Sequence, residues 1–585
     1  MTVRNELTMT WPRITVAGQE LQEKWLDRLV ELRVHHGLRS IGRATLTFTD
    51  PGYELAQDSA LAVGARVSVA SAVRSSDVLH AGTVTSVETE LAPRDGVRLV
   101  VTVDDKALEM TRSSGAATYH ETTLSALVTT LAQECGLRAT VSGLPATTVP
   151  FLLRNDTPLG LVDEIATRYG CDWVVEGDAL LVWAAATANA PDAGTVTLTT
   201  QRDLLALSVR QVSDAPTEVH VRGWDPAAQE AVSATATSPD ARSGRAPATP
   251  SGKKFVRTEA HVGASTQEEA KLLAQGLAAR TGRMVARGRA LFTPALTVGG
   301  TVTIADAGPT SGAYYVREVT HVVDASGSRT SFVAGDRDPV RLADPWTQDP
   351  APSFRRSGLA VGVVDNLQDP GALGRVSVSL STASDEAKSA WARVLQPGAG
   401  NGRGHVFLPD VGDEVLVGFE NDDVSRPVVL GGLYGQRSKP SRAVVDGNGK
   451  LVAHVISTRS GHVVELSEGE AEGEQHILLK LASGAQLRVG KDEVSLSAPD
   501  GVPLRLSSGG ASITFDGNGK ITLDASELAV STKQATTISA QGDVSITAVK
   551  GFQAKGTTAT LKADAKGSVE ASGILEVKGA MVKIN

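Results

Sequence analysis

Towards the end of the chain an apolar residue recurs at a spacing that settles at seven to nine: Leu496, Leu506, Phe515, Leu523, Val530, Ile538, Ile546, Ala554, Leu561, Val569, Val577 and Ile584. Ser, Thr, Lys, Asp and Gly fill the intervals. Within each repeat the residues alternate, as in "VSITA", "ATLKA" and "MVKIN", so each repeat reads as a short strand with one apolar face. A fixed short period is the mark of a repeat fold, but a single-chain β-helix needs a coil of about twenty residues or more per turn. Strands of about five residues joined by tight turns cannot enclose a core by themselves. Three copies can, each forming one side of a triangular prism with its apolar residues turned inward. Covering one such side chain contributes about 1.5–3 kcal/mol, and pairing between copies leaves few strand edges free. Taken without partners, the same pattern gives a run of hairpins. The Asn-Gly turns in "VDGNGK" and "FDGNGK" place two hairpins near Gly447 and Gly517.

The ladder is one part of a chain of 585 residues, long enough for several domains. Aromatic residues make up only 4% and glycine is frequent at 58, which favours many short strands. The net charge of −9 is spread along the chain, and the missing basic stripe argues against nucleic-acid binding. Cys135 and Cys171 are the only cysteines. They exclude a disulfide framework and a zinc ribbon and fit a reducing compartment. Neither a signal-peptide core nor a membrane-length apolar run is visible. The expectation is synthesis in the cytosol and retention there until something else moves the protein.

Residues 1–110 read as strands: "LVELRVHHG", "RATLTFTD", "ARVSVASAV" and "VRLVVTVDD". A helical insert follows. Thr122 or Thr123 caps a helix carrying Leu124, Leu127, Val128 and Leu131, with Gly136 past its end. Thr157 caps a second helix with Pro158 in its first turn. Leu161, Val162, Ile165 and Tyr169 form its buried face and Gly170 is its stop. "CDWVVEGDALLVW" reads as a hairpin, strands resume near Leu204, and the Ser/Ala/Pro-rich stretch 234–254 reads as a mobile loop. A further helix begins after Ser265, with Glu268 completing a capping box. The resulting division is a strand-rich region at 1–345, a linker at 346–355, a small closed barrel at 356–440, a transition at 441–493 and the ladder at 494–585. Within the first region, strand-rich parts at about 1–110 and 195–340 flank an α/β insert at 111–194. The fold class is mainly β and multidomain.

"WARVLQPGAGNGRGHVFLPDVGDEVLVGF", from Trp391 to Phe419, holds a glycine-rich loop that could cradle a phosphate or merely turn the chain. A P-loop needs GxxxxGK[ST], and a dinucleotide fingerprint needs a helix after its glycines. Here Gly400, Gly402 and Gly404 lead into His405 and the strand-like Val406, Phe407 and Leu408, so the loop turns the chain. With Gly374, Arg375, Val376, Ala392, Arg393, Pro409, Gly412, Glu414, Val415, Val417, Asp422, Pro427 and Leu433, this region resembles the OB-type barrel of VgrG proteins and of contractile phage-tail central spikes. "DDKALEMTRSSGAATYHETTLSALVTTLAQECGL" and "SGAYYVREVTHVVD" are similar to the hub of such spikes. With the ladder, the resemblance covers nearly the whole chain.

The resemblance implies a homotrimer at the centre of a baseplate. Residues 1–345 would be a hub whose two tube-like β-barrels, at about 1–110 and 195–340 around the insert, make a pseudo-six-fold ring. That ring would adapt a six-fold inner tube to a three-fold needle, an intertwined triple-stranded β-helix. The needle core would be Phe515, Leu523, Val530, Ile538, Ile546, Leu561, Val569, Val577 and Ile584. A PAAR-type tip protein would dock on Met581, Val582, Lys583, Ile584 and Asn585. Further implied partners are tube and baseplate proteins, effector cargo and, transiently, a target membrane. The action would be mechanical, within a contractile particle assembled in the cytoplasm and released or fired across an envelope. A phage tail, a type VI system and a free phage-tail-like particle all use such spikes, and the lack of an effector extension favours the last.

No enzyme, cofactor or metal site is expected. Residues from Gly435 to about Leu481 are too few for a lysozyme domain, and no carboxylate pair frames a sugar cleft. No HExxH occurs. His35 and His36 point to opposite faces of a strand. His405, His454, His462 and His476 fall near the junction of barrel and ladder, where one from each copy could hold an axial metal; surface or hydrogen-bonded histidine is the plainer reading. The cysteines read as core residues. "DGNGK" carries Lys450 and Lys520 where a calcium loop needs Asp or Asn. Asn155-Asp156-Thr157 is a glycosylation sequon without meaning in a cytosolic protein. Two rivals remain: a spike with an unrecognised cell-wall hydrolase site, and a lone polysaccharide-acting β-helix. The second needs exposed aromatic platforms, and residues 501–585 offer only Phe515 and Phe552.

Overall fold

The computed structural model describes residues 12–71, 78–92, 96–146, 148–185, 189–211, 216–226, 228–237, 254–260, 263–280, 284–335, 358–380, 388–423, 426–469 and 474–584. The expected linker 346–355, most of the loop 234–254, and Asn585 lie outside them. The chain divides into two compact units, Met1–Pro440 and Ser441–Asn585. Among the described residues no helix is long and apolar enough to cross a membrane.

The first unit is organised by one 13-stranded sheet. Its N-terminal half contains Arg13–Val16, Leu29–Gly37, Arg43–Thr49, Arg66–Ala70, Val78–Ala92 and Gly96–Asp104. These strands enclose Trp25, Leu32, Leu46, Phe48, Val69, Leu99 and Val101. The second half contains Leu204–Gln211, Met284–Leu291, Gly312–Asp324 and Gly327–Gly335, around Trp183, Val302, Tyr314, Val316 and Phe332. The halves join where Gly312–Asp324 pairs antiparallel with Leu29–Gly37, from Glu318↔Gly37 to Asp324↔Glu31. Strand Arg43–Thr49 alternates buried with less buried positions, because successive side chains point to opposite faces, whereas Met284–Leu291 and Gly312–Asp324 carry runs of three buried residues. The 15-residue strand Val78–Ala92 has no counterpart in the sequence reading, since Gly82 and its acidic and hydroxyl residues break the apolar alternation. Strands also resume earlier than expected, at Thr195–Thr199, and the stretch expected as a loop from 234 begins inside strand Glu230–Thr237.

The insert folds as two helices and a three-stranded sheet around Leu127, Leu131, Val162, Ile165 and Trp173. Its helices obey their caps. Thr123 accepts a hydrogen bond from Ala126 N at the start of Leu124–Glu134, and Thr157 accepts one from Gly160 N at the start of Pro158–Tyr169. Gly170 ends the latter with φ +71. The third expected helix, Gln267–Ala278, is capped one residue later than the sequence suggested. Thr266 accepts from Glu269 N, and Glu269, not Glu268, returns the contact by accepting from Ser265 N and Oγ. Ser265-Thr266 and Glu268-Glu269 offer two equivalent registers, and packing chooses between them.

Residues Ala360–Gly432 form a five-stranded sheet whose order is 377–379, 360–366, 414–419, 427–432 and 393–394. The last segment pairs in parallel with 427–432 and bridges back to the first through Val376↔Ala392 and Ser379↔Lys388. The sheet is therefore closed on itself, around Val364, Val376, Val378, Ala392, Val415, Val417 and Val429.

Two buried histidines of the first unit resist protonation. Burial holds His80 and His321 down from 6.5 to about 3. Between pH 6.5 and 3 the unfolded chain binds a proton on each that the folded chain refuses. Stability from each therefore falls as pH drops through that window, by about 1.4 kcal/mol per pH unit. Asp105, pushed up from 3.8 to about 7 by burial, acts in the opposite direction between those values, but one carboxyl does not offset two imidazoles. His80 Nε2 lies 3.1 Å from Val103 O, a bond that a glutamine amide can donate. His80→Gln is expected to narrow the stability gap between pH 7 and pH 4.5 by about 2–3 kcal/mol, read from urea melts. An unchanged gap would remove His80 from the acid response.

Candidate functional site

The second unit begins with two meanders. Ala453–Ser457, Val463–Glu468, Gln475–Lys480, Gln486–Gly490 and Val494–Ser497 form a five-stranded antiparallel sheet. Leu504–Ser508, Ala511–Phe515 and Ile521–Asp524 form a three-stranded one. Both expected Asn-Gly hairpins are present. Asp446 Oδ1 accepts from Asn448 N and Lys450 N, and Asp516 Oδ1 accepts from Asn518 N and Lys520 N. In these turns the aspartate oxygen takes up main-chain N–H groups.

Register puts the apolar residues of both meanders on one face. Ile456, Val464, Leu479, Leu487 and Leu496 form one row, and His454, Leu466, Ile477, Val489 and Val494 form the next. In the smaller sheet Leu506–Ile513–Leu523 and Leu504–Phe515–Ile521 are the two rows. The sequence reading took one apolar rung per strand and set Leu506, Phe515 and Leu523 in series. The pairing corrects this: each strand gives two apolar residues, and Leu506 and Phe515 lie in different rows.

Within the described second unit many of these side chains stay exposed, among them Ile456, Leu466, Ile477, Leu479, Leu506 and Leu523. From 525 to 584 no described residue belongs to a strand, and all are exposed. Of the expected needle residues, Phe515 and Leu523 lie on paired strands. Val530, Ile538, Ile546, Leu561, Val569, Val577 and Ile584 lie beyond them, with Ile546 66% and Leu561 97% exposed. Met581, Val582, Lys583 and Ile584 are likewise exposed. Leaving so many aliphatic groups in water forfeits about 1.5–3 kcal/mol for each that could be covered, far beyond the size of patch a monomer ordinarily shows.

The glycine-rich loop of the barrel is a two-stranded hairpin, Ala399↔Gly404 and Gly400↔Arg403. Strand pairing, with no helix after it, leaves no cradle of N–H groups for a phosphate. Val406, Phe407 and Leu408, strand-like in the sequence, belong to no strand; Gln396 fastens this segment instead, its Nε2 donating to Phe407 O at 3.1 Å and its Oε1 accepting from Phe407 N at 3.2 Å. Leu395, Val406, Phe407, Val411 and Tyr434 are exposed on this barrel.

The histidines singled out by sequence do not gather. His405 stacks on Phe407. His462 Nδ1 accepts from Ala482 N. His476 Nε2 lies 3.7 Å from the carboxylate of Glu465, which Arg442 also contacts. His454 sits on the apolar face. His35 Nδ1 meets Thr320 Oγ1 and His36 Nε2 meets Leu79 O. Among the described residues no three His, Cys, Asp or Glu side chains could share a metal ion. Cys135 and Cys171 both belong to the insert core, and burial pushes the Cys171 thiol up to about 12. Thr157 of the sequon is a helix cap. The buried carboxylates serve the backbone. Asp50 accepts from Leu55 N and Ala56 N, Asp105 from Gly42 N and Ala107 N, and Asp104 receives Arg43 and Thr85.

Comparison with known proteins places two families on the chain. The Alg8 N-terminal domain matches residues 6–325. The type VI secretion system/phage-baseplate injector OB domain matches residues 360–434. Among curated proteins, the type VI secretion system spike protein VgrG3 of Vibrio cholerae is 34% identical over 110 residues, 18% of this chain and 11% of that one. The actin cross-linking toxin VgrG1 of Vibrio cholerae is 26% identical over 142 residues, 23% of this chain and 13% of that one. The chain thus spans about an eighth of the length of these relatives. Among solved structures, an E. coli protein described as a type VI secretion component similar to the T4 tail proteins gp27 and gp5 aligns with 72% of this chain and all of its own, at 15% identity and TM-score 0.46.

The hairpin makes a sharp test of why its glycines are there. Gly404 has φ +133, and a Cβ on it would lie 2.3 Å from Gly398 O; Gly402 has φ +66 and open space around it. Gly404→Ala is expected to destabilise the barrel by about 2–3 kcal/mol and Gly402→Ala by about 1 kcal/mol, read from thermal melts. Equal losses would mean that backbone conformation alone, without the close approach, requires glycine at 404.

Proposed function

The chain belongs to the Alg8 N-terminal-domain family and carries the barrel of VgrG-type spikes, and from that premise we propose that it is the structural spike at the centre of a contractile injection machine's baseplate. The single observation that carries this reading is the apolar face of strands 453–524, continued by the exposed aliphatic residues of 525–584, which the described residues of the second unit leave in water. A second and a third copy of the same chain are the simplest cover. Each copy gives one side of a prism, the rows of Leu, Ile and Val meet inside it, and the unpaired backbone from 525 onward finds its hydrogen bonds between copies. Such a homotrimeric needle is an intertwined β-helix with Phe515, Leu523, Val530, Ile538, Ile546, Leu561, Val569, Val577 and Ile584 in its core.

In this reading residues 1–335 join the inner tube and baseplate. The closed barrel passes load to the needle, and Met581, Val582, Lys583, Ile584 and Asn585 seat a PAAR-type tip protein. The work is mechanical: sheath contraction drives a stiff rod through a membrane, and effector cargo travels with it. No catalytic step is assigned. The engagement of Asp50, Asp104 and Asp105 by N–H groups and an arginine supports a structural use of the buried acids. Assembly takes place in the cytoplasm, as part of a particle that is then released or fired.

Light scattering of the purified chain tests this directly. The chain mass is 60.8 kDa, and a particle of three times that mass is expected; a well-folded monomer would overturn the needle. Ile546→Asp places three carboxylates together in the core of the prism, at a cost of several kcal/mol. The variant is expected to lose the heat-resistant trimer seen by unboiled gel electrophoresis. If it keeps that trimer, Ile546 does not face the axis.

A further inference from the structure

Three parts of the first unit meet at one carboxylate. Glu269 lies in the first turn of helix Gln267–Ala278. Its Oε1 is 3.1 Å from Nη2 of Arg168, in the last turn of Pro158–Tyr169. Its Oε2 is 3.3 Å from Nη2 of Arg426, the residue that leads into the barrel strand Pro427–Gly432. The same Oε2 accepts from Ser265 N and Oγ, both at 2.9 Å. Arg426 is itself held. Its Nε is 3.6 Å from Asp423 Oδ2, its N–H donates to Asp423 O, and its carbonyl accepts from Glu420 N.

Backbone contact backs the ion network. Gly263 has φ +70, and a Cβ there would lie 3.2 Å from Asp423 Oδ2 and 3.5 Å from Arg426 Nε. The segment before the helix therefore lies directly against the barrel loop. The guanidinium groups of Arg168 and Arg426 face the carboxylates of Glu269 and Asp423, with Glu164 also near Arg168. The Arg426 side chain is only 16% exposed, so its pairs are screened by salt far less than surface ones. Buried pairs of this kind add little net stability, yet removing one partner strands the others. Their clearest effect is to select one arrangement of the parts they join.

We propose that the Glu269–Arg426 contact is the latch that fixes the OB-type barrel on the hub, with Arg426 as its positioning residue. The insert, through Arg168, and the helix, through Glu269, hold the barrel at one orientation, so that force entering the hub reaches the barrel without play. The latch lies within one copy of the chain and does not depend on how many copies assemble.

The test cuts the chain and asks whether the pieces stay together. A specific protease site is placed between residues 344 and 355 of the full chain, and separation of the cut halves is followed by size-exclusion chromatography at low salt. The wild-type halves are expected to co-elute. Arg426→Ala should speed their separation about ten-fold or more, with the melting of the barrel unchanged, and Arg426→Lys should fall between. A purely local role for Arg426 would move the barrel melt and leave separation alone. Wild-type halves that part at once, or Arg426→Ala halves that part at the wild-type rate, overturn the proposal. Should the alanine variant not fold, Glu269→Gln, which keeps shape and removes charge, makes the same comparison.

Discussion

A strand makes two demands that must be met together: its N–H and C=O groups need partners along its edges, and its apolar face needs cover. In the first unit the described strands pair with one another, and most of them cover an apolar core of their own. The large sheet curls over two cores, and the small one closes through Val376↔Ala392. In residues 453–524 the first demand is met by antiparallel pairing and the second is not. From 525 onward neither is met within the described chain. This gradient, from self-sufficient to dependent, underlies the functional reading more than any single side chain does.

How much of this was legible in the sequence depended on the range of the interactions. Helix ends were readable because caps act over three or four residues: Thr157 and Gly170 bound their helix as their types require. The cap at Thr266 slipped by one because two neighbouring hydroxyls and two neighbouring glutamates make equivalent boxes. Strand Val78–Ala92 was missed because its length comes from pairing with Arg66–Ala70 on one side and Gly96–Asp104 on the other, with no apolar alternation of its own. The ladder's period was plain, but a period does not fix a register. Only the pairing Leu506↔Ile513 and Leu504↔Phe515 shows that each strand carries two rungs. The meeting of Arg168, Glu269 and Arg426 joins residues 101 and 157 positions apart and left no local trace.

The polar groups inside the hub repeat one theme. Asp50, Asp105 and Glu269 each accept from main-chain N–H groups at a place where the chain leaves a strand or enters a helix. Burying a carboxylate is costly unless it is hydrogen-bonded, and here its bonds pin irregular backbone that no ladder could hold. His80 and His321 instead bond inside the sheet, His80 to the Val103 carbonyl and His321 to the Thr330 hydroxyl. These bonds hold the described interior of the first unit in one fixed shape.

The closure of the barrel has a consequence for how it yields under load. An open sheet can be peeled from its edge, one hydrogen bond at a time, by a small force. Residues 388–394 lie between 376–379 on one side and 427–429 on the other, so the ring has no starting edge for a tear. A pull across it loads several main-chain bonds in shear at once, and they must break together. The barrel would therefore behave as a collar that stays intact up to a threshold and then fails abruptly, instead of stretching.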